Sequence, residues 1–250
     1  MVMQEIILEE HEHIDDLLTE EYKIIQSSKF FSFSTDAVLL ADFARTKRID
    51  RIIDLGTGGG VIPLLLKAKG KAAQVEALEL QEPLVNMAKR TMRLNKVESD
   101  IIIRQGDICQ IEQYYAAQSF DAVVSNPPYF PVTKNINHKE AVAIAKHEIK
   151  MTLNDVVGAA AYLLKNGGKF FLVHRPDRLT DIFIALREQH LEPKRMCLVY
   201  PRESSQPNLV LLESGKNVRP GLKIEAHLVI YDQHGAYTQK LQKIYFGGGE

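Results

Sequence analysis

Apolar residues along the chain fall into two alternating kinds of segment. Residues 51–55, 74–80, 101–105, 119–125 and 169–174 are short apolar runs bounded by acids, glycines or prolines, and they read as buried strands. Between them, residues 61–69, 83–94, 153–164 and 176–190 carry the wider apolar spacing of amphipathic helices. Pro83 stands at a helix start, where its missing N–H costs nothing. Thr152 is placed to cap the helix that ends at Asn166-Gly167-Gly168. Ahead of this array, residues 37–44 read as an apolar helix that Thr35 or Asp36 caps. Residues 22–33 read as two short extended pieces around Gln26-Ser27-Ser28, and residues 1–21 as a short strand and a polar turn or helix. Towards the end, residues 196–200 and 208–213 read as strands joined through 201–207, and 222–231 as a last extended piece. Residues 126–150 form a long polar loop, and a loop of that length is usually functional.

Strand and helix alternating in this way predict an α/β fold with a doubly wound, mostly parallel sheet. The final two strands, joined by a short loop without a helix, should pair antiparallel. At 250 residues the chain suits one α/β unit and a small appendage. We expect an N-terminal extension over 1–45 and one compact domain over 46–250.

Composition adds little, and charge only a hint. Two cysteines, Cys109 and Cys197, have no metal-type spacing and fit a reduced cytoplasm. No run is long or apolar enough for a membrane span, and no metal partner is expected. The net charge of −1 does not announce a nucleic-acid partner. Its distribution is uneven, however. Residues 1–21 hold eight acids and no Lys or Arg, while residues 165–202 carry a net +4. Such asymmetry points either to a polyanion-binding face or to ordinary solvated surface.

The chemistry starts at Asp54-Leu55-Gly56-Thr57-Gly58-Gly59-Gly60-Val61. A strand that ends in an acid and turns on glycines into a helix is a nucleotide-type βα turn. The dinucleotide pattern G-x-G-x-x-G fails here, because Val61 fills the third position and the Asp54 carboxylate would repel a pyrophosphate. An acid there suits a ligand with a positive group, such as S-adenosylmethionine (SAM). Glu79, at the end of the second strand, has two acceptor oxygens for ribose hydroxyls, and Asp107, after the third, can accept from an adenine amino group. The fourth strand ends in Asn126-Pro127-Pro128-Tyr129, where two prolines fix the backbone. An exocyclic amine is a poor nucleophile because its lone pair is delocalised. The Asn126 oxygen and the Pro127 carbonyl can each accept one of its N–H groups and aim the lone pair, and Tyr129 can stack on the base.

Asp54-Leu55-Gly56-Thr57-Gly58-Gly59-Gly60 resembles the first motif of class I SAM-dependent methyltransferases, and Asn126–Tyr129 is similar to the motif of those that methylate planar amino nitrogens. Residues 29–41, Ala145-Lys146-His147-Glu148, residues 173–179 and Glu192-Pro193-Lys194-Arg195 further resemble stretches of the bacterial valine-tRNA adenine-37 N6-methyltransferases. The resemblance implies a seven-stranded Rossmann-like sheet, SAM as cofactor and tRNA as partner. It implies catalysis by Asn126, Pro127 and Tyr129, and cofactor contacts from Phe33, Asp36, Asp54, Gly56, Gly58, Glu79, Asp107 and Asn126. Lys146, His147, Arg175, Arg178, Lys194 and Arg195 are the candidate RNA contacts. The competing readings are a glutamine-amide methyltransferase, which usually carries a longer helical segment before the glycine turn, and a guanine-N2 enzyme, which more often has Phe in the fourth position. A non-catalytic RNA-binding scaffold and a nicotinamide oxidoreductase are more remote.

Overall fold

The computed structural model describes residues 7–17, 19–30, 34–129 and 151–246. Among them the chain begins with an antiparallel hairpin, β1 (Glu12–Leu17) and β2 (Thr19–Ser27), in which Glu12 pairs with Ser27. The first strand and the polar segment expected after it are thus one continuous ribbon. Its open edge is covered by α3 (Glu82–Leu94): Lys23 N–H donates to Asn95 Oδ1 at 2.8 Å, and Ile25 N–H donates to Thr91 Oγ1 at 3.2 Å. Glu12 forms a two-pronged ion pair with Arg90, which holds its carboxyl below the usual range. One of the clustered N-terminal acids therefore serves packing.

The main sheet contains β3 (Ile52–Leu55), β4 (Val75–Glu79), β5 (Ile101–Gln105), β6 (Phe120–Ser125), β7 (Leu164–His174), β8 (Leu191–Tyr200) and β9 (Leu209–Lys216). The short strands β10 (Lys223–Ile224) and β11 (Leu228–Val229) both pair parallel with β8. The spatial order is β10-β8-β9-β7-β6-β3-β4-β5. Only β9 runs against its neighbours, so the expected mostly parallel sheet with a final antiparallel hairpin is present. The sheet reverses its winding between β3 and β6, and a ligand crevice belongs at the strand ends there.

Two apolar layers cover the sheet because its strands alternate. In β7, Phe171 and Val173 face one layer while Phe170 and Leu172 face the other. The first layer includes α1 (Thr35–Phe43), α2 (Val61–Ala68), α3 and α6 (Gln239–Phe246). The second includes α4 (Leu153–Leu163) and α5 (Leu179–Glu188). Thr152 caps α4 through a reciprocal pair with Asp155, as the sequence suggested.

Four local expectations need correction. The turn Asn166-Gly167-Gly168 does not separate helix from strand. β7 starts at Leu164 and bulges, with Phe120 opposite Leu164 and Ala122 opposite Lys169. Gly167, at φ +79°, permits that bulge. The expected helix 176–190 is a 3₁₀ turn, Pro176–Arg178, followed by α5, because Arg178 is non-helical at φ −99° and ψ 7°. Neither Thr35 nor Asp36 caps α1. Ser34 occupies that position without a side-chain bond, and both expected caps are engaged elsewhere. Finally, α6 was not foreseen; only Leu241 and Ile244 carry its apolar face.

Candidate active site

β3 carries Asp54 to the crevice and then breaks into the glycine turn. Gly56 and Thr57 N–H groups donate to Leu78 O at 2.9 and 3.1 Å, which ties the turn to the end of β4. Gly58 lies at φ +56°, and a Cβ there would meet nothing within 4 Å, so its outer side is open to a ligand. A Cβ on Gly60 would stand 2.8 Å from Met92 Cε, so that glycine seats the turn against α3. Met151 covers the turn from the other side, its Cε 3.2 Å from the position of a Cβ on Gly56. No sequence signal marks that role.

Asp54 is fully buried, and neither of its carboxylate oxygens has a hydrogen-bond partner among the described residues; the Thr57 hydroxyl is also unpartnered. Burial pushes the Asp54 carboxyl up to about 7, the Glu79 charge adding and the nearby Thr57 hydroxyl, which does not reach hydrogen-bond geometry, opposing. An orphaned buried acid beside an open glycine turn calls for a cationic ligand group. The ammonium of SAM has that character, so the residues present fit the cofactor. Glu79, at the end of β4, is also buried. Its Oε2 accepts from Gly58 N–H at 2.9 Å and its Oε1 from Gln81 N–H at 3.0 Å. Each oxygen keeps a further lone pair for a ribose hydroxyl. Asp107, after β5, is half-buried and accepts from Cys109 N–H at 2.9 Å, capping a 3₁₀ turn. Gly106 N–H donates to Glu79 O at 2.9 Å, so the three strand ends are bonded to one another.

The Asn-Pro-Pro-Tyr turn stands beside this array. Ser125 donates its hydroxyl to Leu55 O at 2.8 Å, locking the end of β6 to the end of β3. Asn126 is half-buried, Pro127 buried and Pro128 exposed. The Tyr129 hydroxyl lies 2.5 Å from Asp36 Oδ2 and 2.8 Å from the Asn126 side-chain amide. Burial and the Asp36 charge push the Tyr129 phenol far above its usual range. Asp36, expected beside the cofactor, therefore spends one oxygen on the Asn-Pro-Pro-Tyr turn.

His174, at the end of β7, packs its ring 5.2 Å from the Tyr129 ring. Its Nδ1 accepts from Arg175 N–H at 2.8 Å, so a neutral ring carries its proton on Nε2. Burial and the Arg178 charge push it down to about 4, keeping it neutral at physiological pH. The available signal was its position at the strand end next to β6.

The RNA candidates divide. Arg175 and Arg178 follow the carboxyl end of β7 and pair with Asp177 at 3.0 Å and Asp181 at 2.6 Å. Lys194 and Arg195 do not join them. Glu213 on β9 pairs with both Phe171 and Arg195, which sets Arg195 roughly 10 Å down the strands from His174. Arg195 is buried, clamped by Glu213 and Glu225 and laid over the Phe43 ring at 4.2 Å. It is a structural residue, because two acids and an aromatic ring already surround its guanidinium. Lys194 donates to Arg219 O at 2.9 Å. Phe33, Lys146 and His147 lie outside the described residues. Among the described residues, no group of three His, Cys, Asp or Glu is placed to hold a metal, and no helix is long and apolar enough to cross a membrane.

A doubly wound sheet with an acid-glycine turn at its switch point and acids at the next two strand ends defines a class I SAM-dependent methyltransferase. Comparison with known proteins agrees. The model of the methyltransferase small domain family matches residues 27–187, and the chain belongs to that family. A protein of Bacteroides thetaiotaomicron, named tRNA1(Val) (adenine(37)-N6)-methyltransferase, is 30% identical over 179 residues, 71% of this chain and 74% of the relative. A Porphyromonas gingivalis protein of the same name is 28% identical over 200 residues, 78% of each chain. Among solved structures, a predicted O-methyltransferase of Agrobacterium tumefaciens superposes with a TM-score of 0.70 at 23% identity, over 85% of this chain and 96% of that one. A geranyl diphosphate C-methyltransferase of Streptomyces coelicolor, solved with S-adenosyl-L-homocysteine, has a TM-score of 0.54 at 12% identity, over 72% and 79% of the two chains. The chain is a SAM-dependent methyltransferase, and SAM is its methyl donor.

The orphaned Asp54 predicts a pH dependence. In the free protein its carboxyl titrates at about 7, and only the ionised form attracts a ligand ammonium. While the ligand amine stays protonated, SAM affinity therefore falls as pH drops through about 7, by up to roughly tenfold per unit. Calorimetric titrations over this range should show the slope, and Asp54→Asn should remove it. A flat profile for the unaltered protein would mean that Asp54 does not face the cation.

Proposed function

We propose that the protein methylates N6 of an adenine in RNA, and that the target is adenine 37 in the anticodon loop of a valine tRNA. The observation that carries this reading is the placement of Asn126-Pro127-Pro128-Tyr129 at the end of β6, locked by Ser125 to the strand that bears the SAM turn. The names of the relatives supply the substrate. A tRNA substrate goes with residence in the cytoplasm.

Bound SAM supplies an electrophilic methyl carbon, its C–S bond breaking as the N–C bond forms. The chain's own part is alignment. The Asn126 oxygen and the Pro127 carbonyl accept the two amine N–H groups and direct the nitrogen lone pair. Both bonds strengthen as positive charge develops on nitrogen, which favours the transition state. Tyr129, fixed through its hydroxyl, offers its ring to the base, and the surplus proton leaves to water. A base stacked in a loop must first be turned out to reach this crevice, which is cheap in an unpaired anticodon loop.

The RNA backbone on either side is met by cations at the catalytic end. Arg175 and Arg178 stand there in partly exposed ion pairs, worth about 0–1 kcal/mol, which phosphates can replace. Arg202, in the β8–β9 turn, is exposed and has no ion pair among the described residues. The test is labelled SAM offered with bulk unmodified tRNA or with a peptide-release factor. The expected result is N6-methyladenosine in the tRNA, with tRNA affinity falling steeply as salt rises. Label confined to a glutamine of the protein overturns the RNA reading.

A further inference from the structure

The Tyr129 hydroxyl touches two side chains and owns one proton. Asp36 Oδ2 is 2.5 Å from it, and the Asn126 side-chain amide is 2.8 Å from it on the edge assigned as Oδ1. An ionised carboxylate only accepts, so Tyr129 donates to Asp36. Its oxygen then needs a donor from Asn126, and the amide supplies one by presenting its NH₂. Which end of an amide is oxygen is decided by such partners. The Asn126 oxygen is thereby turned away from Tyr129. The opposite assignment requires a proton on Asp36 and occupies the Asn126 oxygen with the Tyr129 hydroxyl.

The three groups are held firmly enough for this choice to matter. Asp36 sits in the first turn of α1, whose preceding residue, Thr35, accepts from the Tyr245 hydroxyl at 3.0 Å. Tyr129 packs against buried His174, and Asn126 is fixed by the two prolines that follow it.

We propose that Asp36 is a positioning residue: by taking the Tyr129 proton it sets the Asn126 amide with its oxygen towards the reacting nitrogen. This rests on the reading that Asn126 receives the amine. Asp36 acts through Tyr129 and touches neither the base nor the methyl group. Its removal leaves Tyr129 one acceptor, the Asn126 oxygen, and so turns the NH₂ of Asn126 towards the amine.

The test is a pair of substitutions whose effects oppose each other. Asp36→Ala should lower methyl transfer to bulk unmodified tRNA by roughly tenfold to a hundredfold at saturating SAM, as the acceptor is misaligned. SAM affinity, measured by calorimetry, should fall by less than the rate does, because the loss lies mainly in kcat. Adding Tyr129→Phe removes the misplaced donor, so the double variant should be faster than Asp36→Ala alone. A merely structural role for Asp36 predicts a double variant no faster than the single one, and that result overturns the proposal. So does loss of SAM affinity with kcat unchanged. If thermal unfolding shows Asp36→Ala to be unfolded, Asp36→Asn replaces it; that weaker acceptor should give a smaller loss, again relieved by Tyr129→Phe. Asn126→Ala judges the underlying reading separately: normal turnover there rejects the amine site itself, whereas a slow Asn126→Ala without relief in the double variant rejects only the role of Asp36.

Discussion

Asn126→Ala is expected to lose about 10²–10³ in methyl-transfer rate while still binding SAM. The SAM-side groups are independent of the Asn126 side chain: Glu79 is anchored to Gly58 and Gln81, and Asp54 is carried by β3. On the proposed mechanism, the substitution removes one of two acceptors for the amine. An acceptor held in place before the reaction costs no reorganisation as charge develops on nitrogen, which is why its loss falls on kcat. Pro127 keeps its carbonyl, so residual turnover persists. Single-turnover rates at saturating SAM measure the effect. A rate within a few-fold of the unaltered protein would mean that another group orients the nitrogen.

Arg195→Ala should destabilise the fold by about 3 kcal/mol, since it removes the nearest cation from buried Glu213 and one of two from half-buried Glu225, which keeps Arg45 at 2.9 Å. Glu213 is almost fully buried, and among the described residues only Lys169, at 3.3 Å, pairs with it besides Arg195. Glu225 loses a two-pronged partner at 2.9 and 3.1 Å, the bond that holds its carboxyl below the usual range. The Phe43 ring loses the guanidinium stacked on it. Against a total stability of about 5–15 kcal/mol such a loss is large. Urea unfolding should show a lower midpoint, with any loss of tRNA binding tracking the unfolded fraction. Unchanged stability with weakened tRNA binding would return Arg195 to the RNA face.

These two residues mark how far the sequence could be read. The position of Asn126 was legible because its signal is local: a strand, a residue with an acceptor and two prolines adjacent in the chain. The acids at the ends of β3, β4 and β5 were legible for the same reason, since alternation of strand and helix brings successive strand ends to one crevice. The surroundings of Arg195 were not legible because charge along a chain does not show which acids the fold brings to it; Glu213 and Glu225 lie on other segments. The Tyr129–Asp36 bond joins residues 93 apart, and no spacing rule announces it. Asn166-Gly167-Gly168 looked like a helix stop because a glycine bulge and a glycine cap require the same residues. In α6, Leu241 and Ile244 are too few to declare a helix by periodicity.

The bond from Tyr245 to Thr35 spans 210 residues, and it braces the turn of α1 that presents Asp36. Translation delivers the chain from its N-terminal end at about 5–20 residues per second, so roughly ten to forty seconds separate the synthesis of the two partners. Glycine turn, Asn-Pro-Pro-Tyr turn and most of the sheet leave the ribosome before α6 exists. A nascent chain therefore acquires its cofactor crevice first and the brace behind its amine acceptor last. Stalled or prematurely terminated products would hold the glycine turn and the Asn-Pro-Pro-Tyr turn without that final support behind α1.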